Sequence, residues 1–121
     1  MDFSKIIFKQ DQMGEWKSTT HFQNGYSMSV IAGVMAYCNP RESLDDPQSY
    51  NTYEIAIFDQ DGDWVTRRFT NEDDDVCGWL TKAEINELMK TVAAYEWDED
   101  HAHDQVMNKM IQDLEEDGEE V

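Results

Sequence analysis

From Trp16 the chain alternates between apolar and polar positions. Trp16, Ser18, Thr20 and Phe22 share one parity, and Lys17, Thr19, His21 and Gln23 the other; Thr, Trp and Phe favour strands. Asn24-Gly25 follows, a hairpin signal because a type I′ turn needs positive φ at both central residues. Tyr26, Met28, Val30 and Ala32 then line one face of a returning strand, with Ser27 and Ser29 opposite. This pattern predicts a β-hairpin over residues 16–34. A second hairpin is expected from a strand over Tyr53–Phe58, a turn at Asp59-Gln60-Asp61-Gly62-Asp63 and a strand over Trp64–Phe69. Residues 38–50 hold both prolines and little periodicity, which reads as a long loop. Residues 1–14, apolar at Phe3, Ile6, Ile7 and Phe8, suit a helical turn or a strand.

From Leu80 the period changes from 2 to 3.6. Thr81-Lys82-Ala83-Glu84 is a capping box, with Leu80 and Ile85 at the two positions of a hydrophobic staple. Ile85, Leu88, Met89 and Val92 form an apolar stripe suited to covering a sheet. Val106, Met107, Met110, Ile111 and Leu114 mark a second helical stripe, and the last residues, 115–121, read as a frayed end. The segment between the stripes, without Gly or Pro, is either a polar loop or the middle of one long helix. The expected fold is α+β: a four-stranded antiparallel sheet from two hairpins, one face covered by a helix over 81–95. Residues 1–95 form the domain, and 96–121 a further acidic helical extension.

The length of 121 residues allows one core and no more. Forty per cent of the residues are hydrophobic, with 4 Trp, 5 Tyr and 5 Phe, so the acidity does not signal a disordered chain. The net charge of −18 excludes direct nucleic-acid binding, which needs clustered cations, and disfavours anionic membrane surfaces. No stretch approaches the roughly 20 apolar residues of a membrane helix. The N-terminal apolar stretch is too short for a secretory signal, so a cytoplasmic protein with Cys38 and Cys77 reduced is expected.

The charge is uneven. Residues 96–121 hold 11 acids and one base, a net of −10, beside a helical apolar stripe. Glu72, Asp73, Asp74 and Asp75 form a second cluster ahead of the capped helix, where the helix dipole favours negative charge. Rows of carboxylates can stand in for phosphates in the cationic groove of a nucleic-acid-binding protein, and long-range attraction speeds the encounter. The alternative is a merely solubilising surface. The residues expected to carry binding are Asp98, Glu99, Asp100, Asp104, Asp113, Glu115 and Glu116, with Glu72, Asp73, Asp74 and Asp75 second. Trp79 and Trp97 are candidate interface anchors if exposed; packing against the sheet edge is the alternative.

Other constellations carry less. Counting Asp59 as position 1 of a calcium loop puts Gly62 at position 4 and Thr70 at position 12, where an EF-hand needs Gly at 6 and Glu at 12. The Asp-Gly pair reads better as turn chemistry. His101 and His103, two residues apart among Asp98, Asp100 and Asp104, fall on different faces of a helix and do not share a metal there. There is no Gly-x-Ser-x-Gly, no phosphate-cradling glycine loop and no reactive-cysteine signature. Neither catalysis nor a cofactor is expected, and Cys77 reads as a packed small hydrophobe.

Phe22-Gln23-Asn24-Gly25-Tyr26-Ser27-Met28-Ser29-Val30, then Tyr53-Glu54-Ile55-Ala56-Ile57-Phe58-Asp59, then Gly78-Trp79-Leu80-Thr81-x-x-Glu84-Ile85-Asn86-Glu87-Leu88 form an ordered set. Across roughly residues 20–92 this set resembles small acidic proteins of tailed bacteriophages, which run Asn-Gly-Tyr hairpin, second hairpin and Leu-Thr-x-x-Glu-capped helix. The long 38–50 loop and the acidic extension depart from that pattern. The resemblance implies the cytoplasm of an infected host cell and a non-enzymatic inhibitor of a host nucleic-acid-binding protein, in restriction, CRISPR, nuclease or transcription machinery. A protein-binding adapter or homo-oligomer using an apolar helix face, a homodimer included, is the second expectation.

Overall fold

The computed structural model describes residues 2–71 and 73–95. Strands β1 (Lys9–Gln10), β2 (Trp16–His21), β3 (Ser27–Ala32), β4 (Tyr53–Phe58) and β5 (Cys77–Leu80) form one sheet in chain order, each antiparallel to the next. A single helical turn, α1 (Thr66–Phe69), and a three-turn helix, α2 (Lys82–Ala93), complete the α+β architecture. The sheet therefore has five strands among the described residues, not four. The acidic extension expected over 96–121, its second stripe included, lies outside the described residues.

The β2–β3 hairpin and β4 lie where the alternation predicts them, and the capping box at Thr81 and Glu84 is formed in both directions. Ile85, Met89 and Val92 are buried against Tyr26, Met28, Val30, Ile55 and Ile57, so α2 covers one face of the sheet. Phe3 joins this core from a short 3-10 turn over Phe3–Lys5, its backbone N–H donating to Asn86 Oδ1 at 2.6 Å. The long loop is fastened by two buried phenols. Tyr50 Oη donates to Glu42 O at 2.5 Å and Tyr53 Oη to Pro47 O at 2.5 Å.

Residues 64–69 do not form the expected strand. Trp64 makes one isolated bridge to Phe58, and the chain then coils into α1. The cause is Thr66, whose Oγ1 accepts the Ile57 N–H at 2.9 Å and donates to Asp75 O at 2.6 Å. A side chain thus occupies the ladder position that a strand backbone would take, and β5 supplies the neighbour of β4 instead. Asp73, Asp74 and Asp75 consequently precede β5, which separates them along the chain from the N-terminus of α2.

The β2–β3 turn also differs from expectation. Gly25 has φ of 92°, while among the described non-glycine residues Trp79 alone has positive φ, so Asn24 does not supply the first half of a type I′ turn. Phe22 N donates to Tyr26 O at 2.8 Å and Gly25 N to Phe22 O at 3.0 Å, a three-residue loop with one left-handed glycine. Asn24 is committed elsewhere. Its Nδ2 donates to Val92 O at 2.8 Å and Tyr95 O at 2.9 Å, and its Oδ1 accepts from Tyr26 N at 3.0 Å. The amide thus binds carbonyls in and just beyond the last turn of α2, where Val92 O also accepts the Tyr95 N–H at 3.1 Å. The same hydrogen-bond pattern closes Asp11–Glu15 and Asp59–Asp63, and each of the three loops reads x-Gln-x-Gly-x.

Two predictions follow from these ties. Asn24→Ala removes two hydrogen bonds that join the hairpin to the C-terminal end of α2 and one within the hairpin, and should lower unfolding stability in urea by about 1–2 kcal/mol. Burial raises the pKa of Tyr26, Tyr50, Tyr53 and Tyr95 above the ordinary phenol value of 10.0. The folded phenols hold their protons where unfolded ones lose them, so this contribution is complete below about pH 10 and is lost progressively above it. A urea midpoint that falls between about pH 9.5 and 11.5, in step with ultraviolet tyrosinate absorbance, is the expected result.

Candidate functional site

The pairing of β4 with β5 is irregular. Tyr53 faces Leu80 and Ile55 faces Cys77, so Gly78 and Trp79 together stand opposite Glu54 alone. This is a β-bulge, which bends a strand and re-aims its side chains. Trp79 adopts φ of 56°, a left-handed conformation that costs an ordinary residue about 1–2 kcal/mol. It is nevertheless 57% exposed. Its indole stacks on Tyr37, itself 44% exposed, with centroids 5.2 Å apart and planes 28° from parallel.

The backbone holds the pair in place. Trp79 N donates to Tyr37 O at 2.9 Å, and Tyr37 N donates to Glu54 Oε1 at 2.9 Å. Gly78 is required by this approach, because a Cβ there would lie 2.5 Å from the Tyr37 Cβ. The Arg41 guanidinium carbon lies 5.8 Å from the centroid of the Tyr37 ring. Glu54 alternates with the buried Ile55, so the aromatic pair belongs to the face of the sheet away from α2. Met35 and Val34 extend the exposed apolar surface.

A depression of about 290 Å³ adjoins the pair through Glu54 and Ala36. Three carboxylates line it: Asp11, Glu15 and Glu54. Glu15 is only 9% exposed, and its two oxygens share one donor, the Met35 N–H, each at 3.2 Å. Nothing in the residue pattern marked Glu15 as buried, since its role depends on the loop at residues 33–37 folding over it.

Of the residues expected from the sequence, Trp79 is exposed. Asp73, Asp74 and Asp75 are exposed, but Arg67 lies 3.7 Å from Asp73 and 3.6 Å from Asp75, so part of that charge is answered within the chain. Glu72, Trp97, Asp98, Glu99, Asp100, Asp104, Asp113, Glu115 and Glu116 lie outside the described residues. Among the described residues, Asp73 and Asp75 of the second set meet through Arg67. The structure also brings together Glu15, Glu54 and Asp11.

No family model, curated protein or solved structure matches the chain.

The remaining chemistry is structural. Carboxylate oxygens of Asp59, Asp61 and Asp63 come within 4.8 Å of one another, and Asp59 Oδ1 accepts the N–H groups of Asp61 at 2.9 Å and Asp63 at 3.0 Å, as turn chemistry requires. Cys38 and Cys77 are both buried, and burial pushes the Cys38 thiol up from its ordinary pKa. No described helix is long and apolar enough to cross a membrane. A shallow groove of about 550 Å³ runs between α1 and α2, with Phe69, Leu80 and Leu88 among its apolar lining.

The left-handed Trp79 gives a prediction that separates strain from packing. Trp79→Gly relieves the backbone and Trp79→Ala does not, while both lose the stack on Tyr37. The glycine variant should be the more stable of the two by about 1 kcal/mol in urea unfolding, against the usual order of Ala and Gly in a strand.

Proposed function

We propose that this protein is a non-enzymatic inhibitor, of the acidic phage-encoded kind, that occupies the basic surface with which a host protein holds nucleic acid. The net charge of −18 carries the reading. Clustered carboxylates on a folded aromatic-rich domain attract a cationic groove at long range and compete there with phosphates. The acids Asp98, Glu99, Asp100, Asp104, Asp113, Glu115 and Glu116 are the first carriers of that contact, with Glu72, Asp73, Asp74 and Asp75 second. Tyr37 and Trp79 supply the short-range contact, since exposed Trp and Tyr are the side chains that most often anchor a protein interface.

One observation favours a second reading, an adapter or homodimer with an apolar contact. The groove beside α2 exposes parts of Phe69, Leu80 and Leu88 with Glu84 and Glu87 at its edge. Salt separates the two readings, because exposed charges are screened beyond roughly 10 Å at 0.1 M and apolar contacts are not.

The test is capture from bacterial host lysate, eluted by rising salt. A nucleic-acid-binding protein that leaves as salt rises is the expected result. Neutralising Asp98, Glu99, Asp100 and Asp104 to their amides should slow association by about tenfold and flatten its salt dependence. A salt-resistant partner lost on Met107→Glu or Met110→Glu would establish the adapter instead.

A further inference from the structure

We infer that the acidic segment 96–121 packs, through its apolar positions between Val106 and Leu114, on the lysine-bearing half of this chain's own open sheet face. The contact belongs to the free chain and stands whether or not a basic partner later displaces it.

Charge singles out this half of the face. Lys17, Thr19 and His21 are exposed while Ser18 and Thr20 are buried, so the three share the face away from α2. Lys9 lies directly opposite Lys17 in the register, and like charges so placed destabilise a sheet. The chain holds 27 acids to 9 bases, yet among the described residues no carboxylate lies within 4.0 Å of the Lys5, Lys9 or Lys17 ammonium. Two depressions run along these residues, of about 540 Å³ and about 220 Å³, and Ile7 and Thr19 line both. Asp11 is the one acid in either lining, and its Oδ1 already accepts the N–H groups of Met13 and Glu15. Ile7 is 77% exposed, a large apolar side chain set between Lys5 and Lys9 in the chain. The surface therefore asks for an occupant that is both apolar and acidic.

Residues 96–121 answer in both respects. Their net charge is −10, and Val106, Met107, Met110, Ile111 and Leu114 recur among the acids at the spacing of one helical face. The groove beside α2 is also apolar, but Glu84 and Glu87 in its lining repel such a segment. The exit point of the chain agrees. Asn24, three residues past His21, donates its Nδ2 to the carbonyl of Tyr95 at 2.9 Å, so the segment begins at the His21 end of the lysine-bearing face. The eleven steps from Tyr95 to Val106 span about 16 Å as helix and about 36 Å extended, against about 13 Å from Lys17 to His21 along β2. A tether this short gives an effective concentration of about millimolar, which favours the chain's own sheet over that of a second copy.

Zero-length carbodiimide coupling of the full chain, mixed in equal parts with ¹⁵N-labelled chain at low salt, tests the contact. Peptides joining Lys9 or Lys17 to acids within 96–121 are expected, each within one isotopic species. They should exceed links from Lys82 and Lys90 by about fivefold, and fall severalfold at about 0.5 M salt. Methionine-methyl NMR of the full chain gives a second readout. Nuclear Overhauser contacts from the Met107 and Met110 methyls to Ile7 are expected, and should vanish when Lys9→Glu and Lys17→Glu are combined. Both lysines are exposed, so unchanged Met28 and Met89 signals will show that the core of that variant is intact. Links spread evenly over all lysines, or centred on Lys82 and Lys90, would overturn the inference. Links that join the two isotopic species would overturn it too, and make a second copy the occupant. Methyl contacts to Ile7 that survive the double charge reversal would remove the electrostatic basis claimed for it.

Discussion

Glu54 on β4 faces two residues of β5, and that one extra residue governs what the sheet presents to solvent. The bulge puts Gly78 where only a hydrogen fits against Tyr37 and turns Trp79 into the left-handed region with its indole outward. Tyr37 is then fixed from both sides, its carbonyl by Trp79 and its N–H by Glu54. With Tyr37 placed, residues 33–36 close over Glu15, and the Met35 N–H donates to both oxygens of that carboxylate. An aromatic platform and an acidic depression side by side are therefore consequences of one irregular register.

The opposite face is closed. Asn24 ties the β2–β3 loop to the last carbonyls of α2, and Arg68 Nη1 donates to the Tyr26 hydroxyl at 2.8 Å beside Tyr95 and Phe69. Phe3 and Asn86 fasten the N-terminal turn to the other end of the helix. Among the described residues, the sheet thus packs α2 against one face and leaves the Tyr37–Trp79 pair exposed on the other. Under the reading we propose, acidity acts on top of that division: it selects the partner by sign, while the bulged face supplies the geometry of contact.

The regular parts of this fold were legible because local and tertiary preferences agree. The alternation at Trp16–His21 and Ser27–Ala32 and the Thr81–Glu84 box each specify their element without help from afar. Residues 64–69 misled because Val65, Thr66 and Phe69 are good strand formers, and the deciding bonds of Thr66 run to Ile57 and Asp75. Asn24 misled similarly, its amide spent on a helix some seventy residues away in the chain. Trp79 was readable as a candidate anchor, but its left-handed backbone was not, since nothing in Cys-Gly-Trp-Leu announces a bulge. Glu15 was invisible. Its burial exists only once β3 ends and the chain folds back over it.

The central claim is that the bulged face, and not the groove beside α2, is where a partner sits. Hydrogen exchange on the full chain, free and bound to a basic protein that it captures, tests this directly. Slowed exchange on binding at residues 33–37 and 77–80, with α2 unchanged, is the result this account predicts. Protection confined to α2 and residues 66–71, with Tyr37 and Trp79 exchanging as in the free chain, would contradict it.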